Sequence, residues 1–457
     1  MTARFFLAAA LVVFTATARA EPYASTYRPM PSEPVLIVNA TVLTGAGERI
    51  DGGNVLLSGG RIEALGAEPI EAPEDARIID AQGRWVTPGL IDVHSHLGVY
   101  PSPGIKAHSD GNEATDPVTA AVWAEHSVWP QDPGFSRALA AGVTSLMVLP
   151  GSANLIGGRG VTLKNVPATS YQAMKFPGAP HSLKMACGEN PKRVYGGKGR
   201  APSTRMGNVA GYRAAWIEAR DYLDQMEEAA GEKKKGRNGD DNGEPPKRDL
   251  RLETLAGVLK GDILVHMHCY RADEMMTILD MAEEFGYRVT AFHHGVEAYK
   301  IADELAERGV CGALWADWWG FKAEAYDGIQ ENIALVDRPE GGCAIVHSDS
   351  AEGIQRLNQE ATKAMTAGNR AGLDIPPERA IRWITENPAR AMGILDQTGT
   401  LAPGKMADVV IWNGNPFSVY ALADQVFVDG ALLYDRHDPA LQPVSDFELG
   451  QQLEAGE

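Results

Sequence analysis

The chain has 457 residues, 44% of them apolar and 22% charged, with 60 Asp+Glu against 42 Lys+Arg and a formal charge of −18. That length admits two or three domains, or one large barrel with an appendage, and the composition is that of a globular chain rather than a disordered one. The acid excess opposes binding to a nucleic-acid backbone, which Lys and Arg must neutralise, and the four cysteines are too few for a disulfide scaffold.

In chain order, residues 1–20 read as a cleavable export signal. Arg4 precedes an apolar run from Phe5 to Ala18, and Ala18-Arg19-Ala20 supplies a small-x-small cleavage site. The run is shorter than the ~20 residues of a spanning helix, and nothing later is long and apolar enough to span. A periplasmic or secreted protein is expected, with no membrane attachment after cleavage. Export would permit disulfides, but Cys187, Cys269, Cys311 and Cys343 form no CxxC pair. Cys269 reads as a small buried filler, and spacing assigns no pairing.

From Pro34 to Trp85, short apolar pieces such as Val35–Asn39, Asn54–Ser58 and Arg61–Leu65 are separated by Gly and Asp. The same texture returns at Ala407–Trp412, Gln425–Asp429 and Ala431–Tyr434. Two such β segments at opposite ends can close one small sandwich around an inserted domain. Between them, strands alternate with helices: helix Gly134–Ala141, strand Val143–Leu149, strand Ile263–His268, helix Asp273–Phe285, strand Arg288–Phe292, helix Ala298–Arg308, strand Ala344–His347 and helix Ala351–Ala371. This suits a parallel (β/α)₈ barrel. A doubly wound sheet is the rival, weakened because no GxGxxG follows the first strand. Glu227–Arg248, with Lys233-Lys-Lys235, Asp240-Asp241 and Pro245-Pro246, reads as an exposed flexible insertion.

The chemistry concentrates in Val86-Thr-Pro-Gly-Leu-Ile-Asp-Val-His-Ser-His-Leu97. His94 and His96 are two apart at the end of an apolar strand, so both side chains fall on one face, the interior of a barrel. Paired imidazoles at a strand's C-terminal end make half a metal site, where barrel enzymes place their chemistry.

Together with Arg271-Ala-Asp273, His294-Gly295, His347-Ser-Asp349 and the tail Thr400-Leu-Ala-Pro-Gly-Lys-Met-Ala-Asp-Val-Val-Ile411, the run Pro88–His96 resembles the amidohydrolase superfamily, in its imidazolonepropionase-like and prolidase-like branch. The resemblance covers nearly the whole chain beyond the leader. It implies a metal-dependent (β/α)₈ TIM-like barrel over 87–395, with a small β-sandwich built from 34–86 and 396–436. It also implies ligands at His94, His96, His268, His294 and Asp349, with Asp349 doubling as the catalytic proton acceptor. His266 would lie one layer deeper, His293 would point elsewhere, and His347 would contact substrate or Asp349. A bridging anion could come from Glu189 or from carboxylated Lys184, with Glu189 favoured. One or two divalent ions are implied, Zn²⁺ first, with Mn²⁺, Fe²⁺ or Co²⁺ compatible.

The expected reaction is hydrolysis of an amide or cyclic amide C–N bond in a small molecule by metal-activated hydroxide. Rivals are a prolidase-like dipeptidase and an inactive periplasmic protein that binds metal or solute. Three stretches would shape the pocket: Gly98–Asp132, Leu149–Arg159, and the cluster Leu314-Trp-Ala-Asp-Trp-Trp-Gly-Phe321 containing Trp318. Arg159, Arg271 and Lys322 are the candidate anchors for a substrate carboxylate. A homo-oligomer is no more than the default expectation.

Overall fold

Alternating apolar residues near both ends of the chain build one mixed sheet. A computed structural model describes residues 23–235 and 246–443, so the leader read at 1–20 lies outside the described residues. The N-terminal strands are β1 (Val35–Leu43), β2 (Arg49–Ser58), β3 (Arg61–Gly66), β4 (Arg77–Asp80) and β5 (Trp85–Pro88). Eight barrel strands follow: β6 (Leu90–Ser95), β7 (Val143–Val148), β8 (Ile156–Lys164), β9 (His181–Ala186), β10 (Ile263–Cys269), β11 (Val289–His294), β12 (Cys311–Leu314) and β13 (Ala344–Val346). The chain returns to the first sheet with β14 (Val409–Trp412), β15 (Ala423–Val428) and β16 (Ala431–Asp435).

The first sheet runs β16-β15-β14-β5-β1-β2-β3, with β4 on β1. Its two halves meet where β14 pairs antiparallel with β5, Ile411 opposite Val86. Val35, Ile37, Val42, Val55, Leu57, Val86, Val409, Ile411 and Phe427 form its own apolar core. This is the composite β unit that the texture at both ends implies.

The second sheet runs in chain order from β6 to β13. Its open seam is bridged by hydrogen bonds from Asp349 N to His94 O (3.0 Å) and from Ser348 N to the Asp92 carboxylate (3.2 Å). The sheet is therefore a nearly closed barrel with a local departure. Strand β8 is antiparallel to both β7 and β9. No strand is read there from sequence, because Gly157, Gly158 and Gly160 interrupt the strand texture. Two of the glycines are required by contact: a Cβ on Gly158, at φ +119°, would sit 2.4 Å from Val122 O, and one on Gly160 would sit 2.4 Å from Ser182 Oγ.

Glu227–Arg248 also needs correction. A helix, Arg205–Lys235, runs on through Lys235, since Glu, Ala and Lys favour helix whatever their exposure. Residues 236–245 of the expected insertion lie outside the described residues. Among the described residues no helix is long and apolar enough to cross a membrane.

Candidate active site

Strand alternation brings His94 and His96 to one end of the barrel, and the last strand delivers Asp349 to meet them. His96 Nε2 lies 3.0 Å from Asp349 Oδ1, and His94 Nε2 lies 3.5 Å from the same oxygen. His294 Nε2 approaches Asp349 Oδ2 at 3.8 Å. Both Asp349 (φ 50°) and His294 (φ 72°) hold the left-handed backbone region, unusual for such residues and concentrated at functional sites.

Two groups of side chains each converge within 4.8 Å: His94, His96 and Asp349, and His94, His294 and His347. His268 closes the cluster, its ring 4.6 Å from that of His294. Burial, followed by the nearby Lys184, holds the His94 and His268 imidazoles well below their usual range. Burial does the same to His294. The rings therefore stay neutral, with a lone pair each to offer. Burial raises Asp349, but the His96 hydrogen bond and the surrounding His96, His347 and Lys184 outweigh it, and the carboxyl sits below its ordinary value.

This donor set fits a divalent cation. Nδ1 of His268 and Nδ1 of His294 are buried with no hydrogen-bond partner among the described residues. Such unpartnered buried nitrogens are costly unless something binds them, and mixed imidazole and carboxylate donors suit zinc and its neighbours.

The fourth barrel strand places Lys184 in the cluster rather than Glu189. Lys184 is fully buried, its Nζ 3.2 Å from His94 Nε2 and 3.1 Å from Pro150 O. Burial lowers its amine to about 8. Glu189 begins the helix Glu189–Gly196 and belongs to neither cation-holding group; its carboxylate faces Lys322 at 3.7 Å. The sequence favoured Glu189 over Lys184 as the bridging anion; the geometry brings Lys184, not Glu189, to His94, while Glu189 lines the cavity above. Glu189 follows β9 by three residues, and the chain there has already turned into a helix that points its carboxylate at Lys322.

A cavity of about 540 Å³ opens above Asp349, His96 and His268. Its wall includes Tyr100, Asn112, Glu189, Arg193, Tyr270, Phe321 and Lys322. Lys322 sits 4.0 Å over the Tyr270 ring and 3.1 Å from Glu324. Of the anchors expected from sequence, only Lys322 lines this cavity. Arg271 is paired with Asp273 at 2.9 Å, and Arg159 stacks on Trp123 and bonds Thr254. Trp318 also stands outside the cavity. It packs on Trp315, which in turn stacks on His294 at 4.3 Å. Arg193 was not singled out from sequence, because a helical arginine carries no motif.

Both cysteine pairs are joined, Cys187 to Cys269 and Cys311 to Cys343, so Cys269 is not a free filler. The first bond ties the ends of β9 and β10 beside His268, where Cys187 N also bonds His268 O at 2.9 Å.

The amidohydrolase family profile matches residues 329–433. A crystal structure of an amidohydrolase from Thermotoga maritima MSB8 superposes with a TM-score of 0.78 at 36% identity, covering 88% of this chain and 100% of that one. The chain belongs to the amidohydrolase family. Membership classes it with metal-dependent hydrolases acting on carbon–nitrogen bonds. The amidohydrolase tasK of Hapsidospora irregularis is 32% identical over 444 residues, 90% of this chain, and this chain spans 44% of that relative's length. An imidazolonepropionase of Mesorhizobium japonicum is 24% identical over 387 residues, 80% of this chain and 87% of that protein.

Proposed function

We propose that this amidohydrolase hydrolyses an amide or cyclic amide C–N bond in a small molecule, outside the cytoplasm. The observation that carries this reading is the position of Asp349. It lies against His94, His96 and His294 while facing the 540 Å³ cavity. His94, His96, His268, His294 and Asp349 would hold the cation, with Lys184 beside them. When bound there, a divalent cation supplies Lewis acidity, polarising a carbonyl and acidifying water. Asp349 is placed to take a proton from the attacking water and return it to the leaving nitrogen. His347, stacked on His94 at 5.2 Å, and Trp315 wall the site and limit water. The two disulfides support export, since such bonds persist in oxidising compartments.

The cavity wall favours substrates that carry a carboxylate. Arg193 lines the cavity and has no carboxylate partner among the described residues, and Lys322 stands on the same wall with Asn190 Oδ1 at 3.2 Å. A guanidinium so placed can take a carboxylate in two hydrogen bonds. N-acyl amino acids, dipeptides and carboxylated lactams or imides all carry that group.

The test is metal content of the purified protein together with hydrolysis of a panel of these three classes and their carboxamide counterparts. Bound metal with turnover of carboxylate-bearing members is expected. Protein that takes up no divalent metal would overturn the reading, and metal without turnover would favour a binding protein instead.

A further inference from the structure

Three histidines form a chain leading away from the candidate metal centre. His94 Nδ1 lies 2.9 Å from His293 Nδ1, and His293 Nε2 lies 2.8 Å from His266 Nδ1. All three side chains have no solvent exposure. None of the ligand assignments uses His293 or His266. Their placement follows from the strands. His266 shares the inward face of β10 with His268, one layer deeper. His293 would ordinarily face opposite to His294, but the left-handed backbone at His294 breaks the alternation, and both rings reach His94, at 4.7 and 4.9 Å.

We propose that His293 and His266 act as a one-directional hydrogen-bond relay that sets which nitrogen of His94 is free to bind the cation. The inference rests on the reading of His94 as a ligand. A neutral imidazole carries one N–H, so each N···N contact needs one donor and one acceptor. Only two arrangements satisfy both contacts. In the first, His94 Nδ1–H donates to His293 Nδ1, and His293 Nε2–H donates to His266 Nδ1. In the second every donor is reversed, and His94 carries its proton on Nε2. That nitrogen faces Asp349 Oδ1 at 3.5 Å and Lys184 Nζ at 3.2 Å. Only the first arrangement leaves a lone pair on Nε2, where Lys184 can donate to it and where a cation would sit. His293 is thus a positioning residue: in this arrangement it accepts from His94 at Nδ1 and donates to His266 from Nε2. The single proton pattern spans three rings, so a change at His266, which does not contact His94, should be felt there.

The experiment compares wild-type protein with His293→Leu, His293→Gln and His266→Leu. Zn²⁺ affinity is measured by competition with a chromogenic chelator, and the Co²⁺-loaded visible spectrum reports ligand geometry. His293→Leu is expected to weaken Zn²⁺ binding by about 10–100-fold, the usual effect of losing a ligand's outer partner. His266→Leu should shift it in the same direction by less. His293→Gln, which can still accept and donate, should recover part of the loss and the wild-type Co²⁺ spectrum. Nitrogen-15 NMR of the metal-free wild type should show His94 protonated on Nδ1, a readout that does not depend on any variant folding. Wild-type affinity in His293→Leu, or an Nε2–H tautomer at His94, would overturn the relay. Wild-type protein that binds no Zn²⁺ would overturn the metal reading itself, which keeps the two failures apart.

Discussion

Lys184 directs its ammonium at the ring nitrogen of His94 that faces Asp349, at 3.2 Å. A buried positive charge there would repel a divalent cation, so the lysine has to lose its charge or reverse it. Burial already lowers the amine to about 8, which leaves a neutral fraction able to attack CO₂. The new N–C bond gives a carbamate anion and releases one proton. Lys184→Ala is therefore expected to lose most bound metal, and Glu189→Gln to keep it. Native mass spectrometry of wild-type protein should find the mass of one CO₂ that disappears in acid. Full metal occupancy in Lys184→Ala would return the bridging role to another residue.

The two disulfides should separate stability from catalysis. Cys187–Cys269 joins the strand ends beside His268, whereas Cys311–Cys343 joins the opposite ends of β12 and β13. Paired serine substitutions at either site are expected to cost about 2–5 kcal/mol of stability, read as a lower unfolding midpoint. Only the Cys187/Cys269 pair should also reduce kcat, because it holds the segment that carries Asn190 against His268. Equal kcat values in the two double variants would show that the first disulfide does not position the site.

What the sequence made legible follows period and motif. His94-x-His96 could be placed on one inward face because side chains alternate along a strand, and the two terminal segments could be assigned to one β unit because both read as short apolar strands. The failures lie where local texture and three-dimensional role part. Gly157–Gly160 lacks strand texture and is a strand, since a side chain at Gly158 would strike Val122 O and one at Gly160 would strike Ser182 and Leu149. Glu189 has the right chemistry, but the strand ends before it. The pairing of Cys187 with Cys269 spans 82 residues and is set by which strands become neighbours. His293 could not be connected to His94 because the connection depends on one left-handed residue, His294.

Lys164 is a second charge that sequence did not distinguish. It is fully buried between the barrel and the terminal sheet, with Asp408 Oδ1 at 2.8 Å and Asp429 Oδ1 at 3.2 Å. Thr398 donates to Asp408 at 2.7 Å, and Tyr27 donates to Asp429. Removing the cation strands two buried carboxylates, so Lys164→Met is expected to destabilise by about 3–5 kcal/mol in urea unfolding. Adding Asp408→Asn should recover part of that loss. An unchanged midpoint in Lys164→Met would mean that the cluster does not lock the two sheets together.

The last prediction concerns the substrate. Arg193 stands on the cavity wall without a carboxylate partner among the described residues, unlike Arg205, which is held by Glu274 and Glu324. A hydrogen-bonded charge contact is worth about 1.5–3 kcal/mol, or roughly 10–100-fold in binding. Arg193→Met should therefore raise KM for a carboxylate-bearing substrate by that factor while kcat changes little, because Asp349, not the guanidinium, handles the proton. The matching carboxamide should bind the wild type and the variant about equally, which separates charge recognition from loss of shape. If Arg193→Met lowers kcat for both substrates without moving KM, the arginine is supporting the helix Glu189–Gly196 and the carboxylate must be held elsewhere, with Lys322 the remaining cation on that wall.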